Sequence, residues 1–133
     1  GVDTTRNVKV ELVATLNGAM PWEFKALQDR VSMHPGEVRT VNFYAQNESR
    51  SRILGRAVSS VAPGEAAKYL TKMECFCFRD QALGSGEDRV MPVRFFVDPA
   101  LPKHITTVTL SYTFFRAPDK ETARLTRGPA GES

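Results

Sequence analysis

Two cysteines separated by one residue, Cys75 and Cys77, are the side chains whose type and spacing most clearly suggest chemistry. They lie in the sequence Met-Glu-Cys-Phe-Cys-Phe. In a β-strand, side chains two positions apart point the same way, so Met73, Cys75 and Cys77 would share one face. Phe76 and Phe78 would share the other face, and phenylalanines fill a core better because each buries a large apolar area. The pattern therefore predicts that both thiols face outward.

Three interpretations of the cysteine pair are open from the residues alone. Cys75 and Cys77 could be small core residues, because free cysteine is among the most buried residue types. They could form a redox-active disulfide, although strand geometry opposes it, since the Cα atoms would lie ~6.6 Å apart with parallel Cβ bonds. They could bind a metal, because soft thiolates select Cu(I), zinc or iron–sulfur. Two thiolates, with the Met73 thioether as a neighbour, suit low-coordinate Cu(I) or a site completed by a second copy of the chain.

The other reactive side chains give weaker signals. His34 lies in a Pro-Gly turn, and His104 precedes the last predicted strand with no acid or nucleophile beside it in sequence. The sequence has no Gly-x-Ser-x-Gly, no His-Glu-x-x-His and no phosphate-binding glycine loop. Pairing Cys75 with either histidine as a hydrolase would rest on composition alone. These observations argue against an enzyme.

Length and composition indicate one ordinary globular domain. The chain has 133 residues, of which 41% are hydrophobic, and a domain of this size buries roughly 65–70% of its unfolded surface. Two cysteines exclude a scaffold held together by several disulfides, and no apolar run approaches the ~18 residues of a membrane span. The net charge is only +3 and the arginines are scattered. Because nucleic-acid binding needs a continuous basic stripe or stacking platform, no nucleic-acid partner is expected.

Alternating apolar and polar residues predict an all-β fold. Turn signals recur at intervals of about 8–12 residues, which is typical of an antiparallel β-sandwich of about seven strands. Glu65 to Leu70, after Pro63 and Gly64, is the one predicted helical turn. We predict a domain over residues 1–117 and a flexible C-terminal tail over 118–133, where only Leu125 could join a core. The main predicted strands are Val8 to Leu16, Val41 to Ala45, Ile53 to Ser59, Met73 to Phe78, Val90 to Val97 and Ile105 to Phe115.

Several stretches in and around these strands resemble the signature of a known family. They are Pro63-Gly64-Glu65-Ala66, Tyr69, Lys72 to Phe78, Pro21 to Phe24, Asn42 to Asn47, Met91 to Val93, Phe95 to Pro99 and Leu110 to Phe115. Together they cover roughly residues 8–116 and resemble the signature of the CtaG family of cytochrome c oxidase assembly factors. A Cys-Phe-Cys-Phe run in this context is far more specific than a lone Cys-x-Cys.

The resemblance implies a copper chaperone with an Ig-like domain, and not an enzyme. Such a chaperone holds Cu(I) and delivers it to the copper B centre of cytochrome c oxidase subunit I. The family's copper-ligating cysteines map onto Cys75 and Cys77. The resemblance also implies a single-pass anchor in the inner membrane, N-terminal to this chain, with the domain on the periplasmic side or, in mitochondria, the intermembrane-space side. A further cysteine near that anchor is associated with copper handling in the family, and this chain lacks it.

Two thiolates leave Cu(I) under-coordinated, so we expect a copper-dependent homodimer in which two Cys75/Cys77 pairs share the ions. A thiol–disulfide redox partner in oxidase assembly is the alternative function. An Ig-like interaction module with inert cysteines is a third. Copper titration of the reduced protein separates the first two, because a carrier binds Cu(I) stoichiometrically whereas a redox protein cycles a disulfide at a defined potential. The inert module predicts thiols that resist alkylation until the protein unfolds.

Overall fold

The computed structural model describes residues 1–119, and these residues form mostly β-strands. Short 3₁₀ helices, labelled η, interrupt the strands at two places in this range. The elements are β1 Val8–Leu16, β2 Trp22–Ala26, β3 Arg30–Met33, β4 Arg39–Asn47, β5 Ile53–Ala62, η1 Gly64–Tyr69, β6 Leu70–Cys75, η2 Phe76–Phe78, β7 Gln81–Leu83, β8 Asp88–Val97 and β9 Thr107–Arg116.

The strands form a sandwich of two sheets, which confirms the predicted all-β fold. One sheet has five strands in the order β3-β1-β9-β5-β7, and the other has four in the order β2-β4-β8-β6. The described residues therefore hold nine strands where about seven were predicted. The additional strands β3 and β7 have four and three residues, which is too few for alternation alone to predict a strand. β1 pairs with β9 in parallel, whereas the other strand pairs are antiparallel.

The remaining predictions about organisation have different outcomes. The helical turn expected near Glu65 to Leu70 is confirmed as η1, Gly64–Tyr69. The predicted tail over 118–133 lies outside the described residues from position 120 onward and stays a prediction. Among the described residues, no helix is long and apolar enough to cross a membrane.

The core between the sheets contains a group of packed rings, here called the aromatic cluster. Neighbouring ring centroids in the cluster lie between 4.7 and 6.1 Å apart, within the usual range for interacting aromatic pairs. All but one of its members come from strands, and Phe76 comes from η2. The cluster consists of Trp22, Phe24, Phe43, Phe76, Tyr112 and Phe114.

The topology places η2 at one open edge of the sandwich. β6 is an edge strand of the four-stranded sheet, and β7 is an edge strand of the five-stranded sheet. η2 connects these two edge strands directly. The segment that carries both cysteines is therefore the crossover from one sheet to the other.

Candidate functional site

The crossover brings the two cysteines together. Cys75 is the last residue of β6 and Cys77 is the middle residue of η2. Their sulfur atoms are joined in a disulfide, and their Cα atoms lie 5.1 Å apart. A continuous strand would separate these atoms by ~6.6 Å, and the expectation of a continuous strand through both cysteines was wrong. The 3₁₀ turn shortens the separation to one that a disulfide spans without backbone movement.

The prediction that both thiols face outward and both phenylalanines face inward was wrong in part. Cys75 is buried with 5% of its surface exposed, as is Phe76, whereas Phe78 is 60% exposed. Cys77 is half-buried and packs against the core. The β-strand ends at Cys75, and a 3₁₀ helix follows it. Because this helix has three residues per turn, the two-residue alternation of side chains stops there. The pair therefore has one buried cysteine and one half-buried cysteine.

Met73 does not share a face with the cysteines, contrary to the strand prediction. The pairing of β6 with β8 shifts register between Lys72 and Glu74. Such a β-bulge inserts an extra residue, here Met73, which is left out of the alternation. Met73 is 47% exposed while Cys75 is buried. The Met73 thioether therefore lies on the solvent side of the strand.

The Cys75 sulfur accepts two hydrogen bonds. The Tyr112 hydroxyl lies 3.1 Å from Cys75 Sγ, and the Cys77 backbone nitrogen lies 3.2 Å from the same atom. A disulfide sulfur carries no hydrogen, so both partners donate. Tyr112 is fully buried, and this burial raises the pKa of its hydroxyl well above the ordinary value of 10.0. The hydroxyl therefore keeps its proton and stays a donor.

Sequence reasoning placed Tyr112 in the last strand but not in the site. The signal that could have found it is a tyrosine on the apolar face of that strand, because a buried hydroxyl needs a hydrogen-bond partner. Its partner could not be read from the sequence, since it depends on how β9 packs against the crossover.

A buried glutamine supports the crossover from the side of β7. Gln81 Nε2 donates to the Phe76 carbonyl at 3.2 Å, and Gln81 Oε1 accepts from Arg89 Nη1 at 2.9 Å. Arg89 Nη2 also donates to the Ala82 carbonyl at 3.1 Å. These bonds tie η2 to β7 through Gln81, and β7 to β8 through Arg89. The backbone between the cysteines is therefore held by the Phe76 ring on one side and by Gln81 on the other.

Two further contacts link elements around the crossover. Arg56 on β5 makes a bidentate ion pair with Asp80, with distances of 2.9 and 3.0 Å. The hydrogen bonds from Arg56 are the main cause that lowers the pKa of Asp80 below its ordinary value of 3.8. Lys72 Nζ on β6 donates to Ser59 Oγ on β5 at 3.0 Å. Both contacts join β5 to the segment around the crossover, Lys72 before it and Asp80 after it.

A cleft of about 270 Å³ lies beside the crossover. Its lining combines exposed apolar side chains, Phe78 and Val90, with charged and polar ones. Phe78 and Val90 therefore form a small apolar surface next to the disulfide. The lining residues are Glu74, Cys75, Phe76, Phe78, Arg79, Gln81, Arg89, Val90, Met91 and Pro92.

The cysteine pair stands without further metal ligands in the part of the chain that the structure describes. Within residues 1–119, no group of three or more histidine, cysteine, aspartate or glutamate side chains could hold a metal ion. His34 Nδ1 is 2.6 Å from the Arg6 carbonyl, and His104 Nε2 is 2.8 Å from Glu65 Oε1. Reduction of the disulfide would supply two adjacent soft thiolates, a donor set that fits Cu(I) at low coordination number.

The fold and the site define a class of protein: a small Ig-like β-sandwich with a cysteine pair in the crossover between two of its edge strands. The chain belongs to the CtaG/Cox11 family of cytochrome c oxidase assembly proteins, whose family model matches residues 1–116. The resemblance found from the sequence is thereby confirmed.

Two relatives illustrate the match. The mitochondrial cytochrome c oxidase assembly protein COX11 of Saccharomyces cerevisiae is 40% identical over 121 residues, which is 87% of this chain and 40% of the relative. The cytochrome c oxidase assembly protein CtaG of Brucella ovis is 43% identical over 115 residues, which is 83% of this chain and 57% of the relative. The chain thus spans about half the length of the relatives that it matches.

Proposed function

We propose that this domain carries Cu(I) on Cys75 and Cys77 and delivers it to the copper B centre of cytochrome c oxidase subunit I. The observation that supports this most is the pairing of two sulfur atoms in a crossover at the sandwich edge. Membership of an oxidase assembly family supplies the biological context. In this proposal the protein is a carrier and not an enzyme, because its task is to bind an ion and hand it on unchanged.

The chemistry of the pair suits a carrier. The disulfide must first take up two electrons, because thiolates and not disulfide sulfurs are the metal ligands. Two thiolates hold a soft ion tightly without enclosing it. The described residues form no group of three or more histidine, cysteine, aspartate or glutamate ligands that would enclose the ion. The half-buried position of Cys77 leaves an acceptor ligand room to approach.

The same donor set favours a copper-dependent homodimer. Two chains that face their cysteine pairs would share the ions and complete the coordination, in the isologous arrangement that most homodimers adopt. Phe78 and Val90 line the cleft beside the pair and are more than half exposed. Their burial against a second copy would add apolar area to the contact.

For location, we propose that an anchor N-terminal to this chain holds the domain at the inner membrane. The domain would then face the periplasm or, in mitochondria, the intermembrane space. The printed name of the yeast relative places that protein in mitochondria. The relatives are also longer than the chain, so they have room for an additional segment.

The disulfide itself favours a second candidate, a thiol–disulfide redox partner in oxidase assembly. Copper titration under anaerobic conditions separates the two functions. A carrier takes up Cu(I) in a fixed ratio and dimerises, and Cys75→Ser or Cys77→Ser abolishes both. A redox partner binds no stoichiometric copper and exchanges its disulfide with other thiols at a defined potential.

A further inference from the structure

The two sulfurs of the disulfide have different surroundings, and this difference has a chemical consequence. We propose that the pair is opened in one direction only: an incoming thiolate attacks Cys77 Sγ, and Cys75 Sγ leaves. In this step Tyr112 is a positioning residue that stabilises the leaving sulfur. The inference rests on the proposed function only for the biological role of the reduced pair, which would be the copper-binding form. The direction of attack itself does not depend on copper.

Access decides which sulfur is attacked. An incoming thiolate must reach a disulfide sulfur along the continuation of the S–S bond, so the rate depends strongly on which sulfur is accessible. Cys75 is 5% exposed, and the fully buried Tyr112 lies against its sulfur. Cys77 is half-buried, at the edge where the crossover leaves the core. Attack at Cys77 therefore requires the smaller rearrangement of the surrounding structure.

Hydrogen bonding favours the same direction. Negative charge develops on the sulfur that leaves, and a hydrogen bond to a charged acceptor is roughly twice as strong as one to a neutral acceptor. Cys75 Sγ already accepts from Tyr112 Oη and from the Cys77 backbone N–H, at 3.1 and 3.2 Å. The described residues donate no hydrogen bond to Cys77 Sγ. The two donors that would stabilise a thiolate at Cys75 are thus already in place before the disulfide bond breaks.

The exchange is balanced with a thiol as the reductant. The first thiolate attacks Cys77 Sγ, a bond forms between the two sulfurs, and the bond to Cys75 breaks with its electron pair remaining on Cys75 Sγ. A second thiolate then attacks the external sulfur of this mixed disulfide and releases Cys77 as a thiolate. Two external thiols become one external disulfide, and two electrons enter the pair. A small monothiol or a dithiol protein would supply them equally.

The direction of attack can be tested without copper. The oxidised protein is mixed with glutathione, quenched in acid, and mapped by peptide mass spectrometry at low pH. We expect glutathione on Cys77. As a second measure of access, the single-cysteine variants Cys75→Ser and Cys77→Ser are reacted with an aromatic disulfide reagent. Cys77 should react at least about tenfold faster than Cys75. Glutathione on Cys75, or equal rates for the two thiols, would overturn the proposal.

The role of Tyr112 needs a variant that keeps its ring. Tyr112→Phe removes only the hydroxyl, and we expect reduction by excess glutathione to slow roughly tenfold while attack stays at Cys77. The matched control is Tyr44→Phe, which removes a hydroxyl bonded to Asp88 on an exposed surface and should leave the rate unchanged. An unchanged rate in Tyr112→Phe would refute the positioning role. Because no copper is present, failure of copper binding and failure of this mechanism are observed separately.

Discussion

The Phe76 ring packs against the Tyr112 ring, with 4.8 Å between the centroids. Phe76 is the residue between the two cysteines, and Tyr112 is the residue whose hydroxyl contacts Cys75 Sγ. One tyrosine therefore touches both the sulfur and the side chain that anchors the crossover. The geometry of the cysteine pair depends on the packing of the core beneath it.

Removal of the Phe76 anchor should destabilise the whole domain. We expect Phe76→Ala to lower the free energy of unfolding by about 3–5 kcal/mol, because it leaves a cavity in the aromatic cluster. The matched control is Phe78→Ala, since Phe78 belongs to the same helix but is 60% exposed. Its effect should stay within about 0.5 kcal/mol. Urea unfolding measures both, and an equal loss in the two variants would show that Phe76 is not the anchor.

A methyl group at Gly55 should disturb the same cluster from β5. A Cβ atom there would lie 2.6 Å from Trp22 Cη2 and 3.0 Å from Phe114 Cδ1, both of which are rings fixed by their neighbours. We expect Gly55→Ala to cost about 1–3 kcal/mol through overpacking. Gly64→Ala is the control, because a Cβ atom there meets nothing within 4 Å. Thermal unfolding should rank the two variants in this order, and the reverse order would contradict the packing described for Trp22.

Gln81 should stabilise the fold through its hydrogen bond to the Phe76 carbonyl. Gln81→Ala leaves the buried Phe76 carbonyl without its 3.2 Å donor, which should cost about 1–3 kcal/mol. It should also speed amide hydrogen exchange in η2, because the crossover loses one of its two supports. Gln46→Ala removes an exposed hydrogen bond to Gly86 and should change neither quantity. Unaltered exchange in η2 of Gln81→Ala would exclude the supporting role.

The ion pair between Arg56 and Asp80 should make part of the stability depend on pH. The folded-state pKa of Asp80 is lowered, chiefly by hydrogen bonds from Arg56. A lowered pKa means that the stabilisation is present above the unfolded-state pKa of about 4 and is lost as the pH falls through the folded value. Asp80→Asn should therefore destabilise the domain near neutral pH and have less effect in acid. Urea unfolding at both pH values checks this, and a loss that does not vary with pH would contradict it.

The sequence predicts the sandwich well because its long strands alternate clearly. In β4 from Val41 to Ala45, and in β9 from Val108 to Phe114, every second residue is apolar and buried. The short strand β7 escaped prediction, since three residues show no period. At the site, residue type and spacing identified Cys75 and Cys77. Their orientation could not be derived, because the same residues fit a strand and a 3₁₀ turn equally well. The choice between the two depends on Phe76 entering a cluster built from distant strands.

The bulge at Met73 and the hydrogen bond from Tyr112 to Cys75 could not be predicted from the sequence, because both depend on how distant strands pair and pack. The shift between Lys72 and Glu74 is a property of the pairing of β6 with β8, and no turn residue marks it in the sequence. The bond from Tyr112 to Cys75 joins positions that only the packing of two sheets brings together. Short-range patterns thus singled out the two cysteines, whereas their burial and partners required the tertiary structure.

Anaerobic copper titration combined with sedimentation tests most directly whether reduced Cys75 and Cys77 bind Cu(I). We predict that the reduced protein binds Cu(I) in a fixed ratio and becomes a dimer. The Cys75→Ser/Cys77→Ser double variant should do neither, while circular dichroism still shows a β-sandwich. Met73→Leu, on the exposed bulge, should have a smaller effect. Retention of the full copper ratio by the double variant would contradict the assignment.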